Sequence, residues 1–79
     1  MIAETVRARV SDAIADSDVV ARGDGSRMEI VVVASAFDGV SRVRRQQMVY
    51  AAIAELIGAG DLHAVSIRAM TPAERSENG

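Results

Sequence analysis

Cysteine is missing altogether from this 79-residue chain, and histidine occurs once, at position 63. Without thiols there is no disulfide scaffold. A single imidazole cannot close a zinc or iron–sulfur site, which needs about four ligands. Any metal held through His63 must therefore take its other ligands from a second molecule. Tryptophan is absent too, and Phe37 and Tyr50 are the only aromatics. Two are too few for a platform on which successive bases stack, so both read as packing residues. Lysine is lacking as well: nine arginines face eleven acids, and a net charge of −2 speaks against strong general affinity for nucleic acid. The longest apolar run, 48–54, has seven residues, far short of the roughly 20 that span a bilayer. The opening Met1-Ile2-Ala3-Glu4 has neither a basic flank nor an apolar signal core, so a cytoplasmic protein is expected. No paired catalytic carboxylates, no phosphate-binding loop and no serine beside a base can be identified, and the chain does not read as an enzyme.

The residues that are present segment readily. Ile2, Val6, Val10, Ala13 and Ile14 share one helical stripe and predict a first amphipathic helix. Two strands follow, Val19–Arg22 and Arg27–Ser35, joined by Gly23-Asp24-Gly25-Ser26, whose Asp-Gly pair suits the positive φ of a tight hairpin. The run Ile30-Val31-Val32-Val33-Ala34 is continuously apolar and suits a central strand covered on both faces. Ser41 is placed to cap a second helix with the stripe Val49, Ile53, Leu56 and Ile57, ended by Gly58 and Gly60. Leu62–Ala69 is a third strand. Thr71-Pro72-Ala73-Glu74 opens a short final helical turn, and 76–79 reads as a flexible tail behind a single domain, 1–75.

A strand, a crossover helix and a neighbouring strand in one sheet pair in parallel. Strands two and three then begin at the same end of the sheet, which brings Arg27 and the hairpin turn close to His63.

Ser41-Arg42-Val43-Arg44-Arg45-Gln46-Gln47-Met48-Val49-Tyr50, then Leu62-His63-Ala64-Val65-Ser66-Ile67, then Thr71-Pro72-Ala73-Glu74, resemble the BolA family in order and spacing, from the hairpin turn to Glu74. The Arg-Arg-Gln-Gln-Met-Val-Tyr wording resembles its shorter, acid-stress (IbaG-like) branch. The resemblance implies an α+β fold of α-β-β-α-β order akin to type II KH domains, with a three-stranded sheet and helices packed on it. It also implies a partner, a monothiol glutaredoxin. With it such proteins share a glutathione-ligated 2Fe-2S cluster in iron–sulfur trafficking and iron or stress regulation, as monomers alone and heterodimers in the complex. The family's histidine ligand falls on His63. Its second ligand position, just after the turn serine, is Arg27 here, and a guanidinium has no lone pair to give to iron.

The same residues also admit plainer roles. A lone histidine at the head of an apolar strand is often simply packed or hydrogen-bonded. Arg42, Arg44 and Arg45 suit a solvated helix face, yet they stand in a first turn where the helix dipole favours acids. That placement points to an anionic partner: the glutaredoxin surface, or DNA if the chain is a BolA-type transcriptional regulator. None of the six glycines has another three residues on, so the Gly-x-x-Gly phosphate clamp of KH domains is missing.

Overall fold

Ile2–Ala13 forms helix α1, with Val6 and Val10 one turn apart and completely buried. Glu4 and Arg7 pair across its outer face at 2.6 Å. The helix ends where Asp16 adopts a left-handed φ of 54° and the Ser17 hydroxyl donates to the Ile14 carbonyl. Ile14 is buried just past the last turn, while Ala13 faces solvent. These features come from a computed structural model, which describes residues 1–78.

Strands β1 (Asp18–Gly23) and β2 (Met28–Val33) form an antiparallel hairpin running from Asp18↔Val33 to Gly23↔Met28. The turn between them differs from the expected Asp-Gly geometry. Positive φ falls on Gly23, at 115°, and Asp24 shapes the turn through its carboxylate instead. A single 3₁₀ turn, Ser35–Phe37, then drives Phe37 fully into the core.

Helix α2 (Arg42–Gly58) starts at Ser41, whose hydroxyl accepts the Arg44 N–H at 3.2 Å. Its buried stripe is Arg45, Val49, Ile53 and Leu56. Ile57 and Tyr50, expected to pack, sit at the border of that stripe and remain exposed. Strand β3 (Val65–Met70) pairs with β2 in parallel, Met28↔Val65 to Val33↔Met70, as the crossover requires. The sheet order is β1-β2-β3.

Helix α3 (Pro72–Asn78) is set by a capping box. The Thr71 hydroxyl accepts the Glu74 N–H at 3.1 Å, and the Glu74 carboxylate accepts the Thr71 N–H at 2.8 Å. With Pro72 at its first position, the helix carries on through 76–78, where the sequence reading leaves a tail, and position 79 lies outside the described residues.

Met28, Ile30 and Val32 project from β2 toward α1 and α2 and are fully buried against Val6, Val10, Val49 and Ile53. The alternate residues Glu29, Val31 and Val33 point to the other face. No helix of the described chain covers that face along its length, contrary to the expectation of a central strand buried on both sides. It is sheltered only at one end, where Arg75 of α3 reaches Asp18 of β1 at 3.0 Å. Among the described residues no helix is long and apolar enough to cross a membrane.

Candidate functional site

His63 lies in the connection from α2 to β3, two residues ahead of the strand. The chain turns there because Gly60 takes φ 83° and the Leu56 carbonyl accepts N–H groups from both Asp61, at 2.9 Å, and Leu62, at 3.3 Å. Leu62 is buried and anchors the loop. The His63 N–H donates to the Gly25 carbonyl at 2.8 Å, and the Met28 N–H donates to the next carbonyl, Ala64, at the same distance. The backbone is thus fastened at His63 and at Ala64 beside it. Its ring is exposed and makes no hydrogen bond among the described residues.

The hairpin turn supplies the other half of this corner. Asp24 accepts from the Ser26 hydroxyl at 2.7 Å and from the backbone N–H groups of Ser26 and Arg27. These donors, the Ser26 hydroxyl foremost, hold the Asp24 carboxyl below its ordinary pKa. Gly25 presses against the His63 loop so closely that a Cβ there would stand 2.6 Å from the Asp61 carbonyl oxygen. This contact is not apparent from the sequence, where Gly25 reads as a turn residue only. Arg27 is exposed, directly precedes β2 and lies level with Ala64, one residue from His63. The parallel pairing therefore brings the turn, Arg27 and His63 together as the topology argument expects.

Among the described residues no three His, Cys, Asp or Glu side chains gather into a metal-binding group.

The three α2 arginines separate. Arg42 and Arg44 are exposed. Arg45 retains only 7% of its surface. Its guanidinium donates to the Val40 carbonyl at 2.9 Å, to the Ala69 carbonyl at 3.4 Å and to Glu74 at 2.6 Å, and it stacks over Phe37 with 5.8 Å to the ring centre. It clasps α2, β3 and α3 together, so its head group is already occupied. Arg45 and the Thr71 N–H keep the Glu74 carboxyl ionised below its ordinary pKa. Beside it, the Gln46 amide donates to the Ile67 carbonyl at 2.8 Å. A signal for the burial of Arg45 exists in the sequence: positions 45, 49, 53 and 56 share one helical face.

A three-stranded mixed sheet with α1 and α2 packed on one face defines a small α+β domain. The chain belongs to the BolA-like protein family, whose pattern matches residues 4–74. It is 42% identical over 69 residues to the acid stress protein IbaG of Escherichia coli (strain K12), covering 87% of this chain and 82% of that one. It is 43% identical over 56 residues to the human BolA-like protein 1, covering 71% of this chain and 40% of the human one. Among solved structures it superposes on a bolA protein homologue from Coxiella burnetii with a TM-score of 0.80, 30% identity, and coverage of 92% and 94% of the two chains. The BolA domain of SufE1 from Arabidopsis thaliana gives 0.75 and 26% over the same shares.

Proposed function

We propose that this chain is a non-catalytic partner of a monothiol glutaredoxin, with which it shares a glutathione-ligated 2Fe-2S cluster as cargo in iron–sulfur trafficking or stress regulation. The observation that carries the reading is His63: the chain's only imidazole, exposed, with its own N–H tied to the hairpin turn and the carbonyl of the next residue, Ala64, tied to β2. The partner and its glutathione supply thiolates, and the neutral imidazole contributes a ring nitrogen in place of one of them. Imidazole in place of thiolate makes a cluster less negative and raises its reduction potential. Arg27 does not ligate. Its fixed positive charge beside His63 attracts anionic groups such as glutathione carboxylates.

The test mixes the protein with a cluster-loaded monothiol glutaredoxin and follows visible absorption and circular dichroism. His63→Ala removes an exposed ring, so stability stays within about 0.5 kcal/mol of wild type, while the spectral change produced by wild type disappears. A mutant spectrum identical to wild type removes His63 from the ligand set.

Exposure of Arg42 and Arg44 at the start of α2 supports a second reading, a DNA-binding regulator. It draws on two arginines rather than three, because Arg45 is spent inside the fold.

A further inference from the structure

The open face of the sheet is built in rows. Asp18, Val33 and Met70 lie side by side in one, Val20, Val31 and Arg68 in the next, and Arg22, Glu29 and Ser66 in the third. The Arg75–Asp18 ion pair closes the first row from above. The third row is charged or polar throughout. The first two rows floor a groove of about 340 Å³ with the three valines and Met70, flanked by Arg68 on one side and by the Asp18–Arg75 pair on the other. Val20 leaves 47% of its surface in water. Arg68 is exposed and, among the described residues, has no acid within ion-pairing distance.

The volume falls inside the range of small-molecule pockets, about 300–1,000 Å³. The apolar floor spans only two rows, about 7 Å along the strands, whereas a helix is about 10–12 Å across. A docked helix would have to rest on Arg22 and Glu29 and bury their charges, which is costly without matched partners. A small molecule meets neither obstacle. An apolar floor with one unpaired guanidinium at its border complements a ligand with an apolar body and an anionic head.

We propose that this groove binds a small amphipathic anion, a single-chain carboxylate of medium length whose tail can lie across the two apolar rows. The tail lies on Val20, Val31, Val33 and Met70, and the carboxylate accepts from Arg68. The site is at the opposite end of β3 from His63 and does not depend on the cluster-sharing reading.

The experiment titrates octanoate, octanol and octyltrimethylammonium into the full chain and follows the valine and methionine methyl resonances. Saturable shifts at Val20, Val31, Val33 and Met70 are expected, with octanoate binding tighter than octanol and octanol tighter than the cation. Arg68→Gln, an exposed substitution, weakens octanoate about fivefold and leaves octanol unchanged. Val31→Thr weakens both. The proposal is overturned if no saturable shift occurs, if the three ligands bind equally, or if Arg68→Gln leaves octanoate binding intact. It is equally overturned if the methyl shifts depend on protein concentration without ligand, which would mean that a second copy of the chain covers the face.

Discussion

The hairpin turn contains two glycines that fail for different reasons when a methyl group is added. At Gly25, φ lies outside the left-handed region and the backbone accepts alanine. The new Cβ would stand 2.6 Å from the Asp61 carbonyl, and ordinary contact at 3.4 Å requires the loops to part by about 0.8 Å. That movement stretches the 2.8 Å bond from the His63 N–H to the Gly25 carbonyl beyond useful geometry. Losing one such bond costs about 1 kcal/mol net, while alanine returns about 0.4–1 kcal/mol by restricting the unfolded chain. Global stability of Gly25→Ala should therefore lie within about 0.5 kcal/mol of wild type. Amide exchange at His63 should accelerate at least about fivefold, with exchange in β2 unchanged. At Gly23 the Cβ would meet the Arg27 carbonyl oxygen at 2.1 Å with φ at 115°, so Gly23→Ala should cost at least about 2 kcal/mol. Chemical denaturation with hydrogen exchange read by NMR separates the two. Unchanged His63 protection in Gly25→Ala, or equal destabilisation by both variants, would mean that the Gly25–Asp61 contact does not hold the His63 loop.

Glu74→Gln should be less stable than wild type at neutral pH. A folded-state pKa below the ordinary 4.5 gives stability that is present above that value and is lost as pH falls through the lowered folded-state pKa, so the two melting curves should converge in acid. A gap that persists there would mean that the charge of Glu74 is not what matters. The double variant Arg42→Ala/Arg44→Ala should keep its melting temperature and lose affinity, in a salt-dependent way, for whichever partner the arginines meet, glutaredoxin or DNA. Arg45→Ala should instead lower the melting temperature by several degrees, because it strips a buried hydrogen-bonding group from two carbonyls and the Phe37 ring. Arg27→His places a second imidazole beside His63, and a chelator should then remove the cluster from the mixed complex more slowly than from wild type. Equal or faster loss would assign Arg27 a purely electrostatic part.

Element order, the parallel β2–β3 pair and the meeting of the hairpin turn with His63 are all legible in the amino-acid pattern, because a βαβ crossover leaves little topological choice. Boundaries are less so. The last strand begins at Val65 rather than Leu62 because Leu56 captures the N–H groups of both Asp61 and Leu62 and draws Leu62 into the core. Arg45 is misread in company with Arg42 and Arg44, since three close arginines look like a solvated cluster until the helical period sets one of them on the Val49–Ile53 face. The exposed apolar face also escapes: the run from Ile30 to Ala34 asks for cover on both sides, and periodicity cannot say that the described residues cover only one of them. Likewise, nothing in the composition relates Asp18 to Arg75, which are 57 positions apart and meet only through the fold.

The side-chain bonds along the outer edge of β3 bear on how this protein tolerates crowding. An edge strand normally offers unpaired carbonyls and N–H groups as a template on which a foreign strand can add. Here the outward carbonyls of Ile67 and Ala69 are already occupied by Gln46 and Arg45. An incoming strand would have to evict a charged group that is also bound to Glu74. The first turn of α2 thereby blunts the edge against cross-β growth, leaving an 8.3 kDa protein less prone to build fibrils from that side of its sheet.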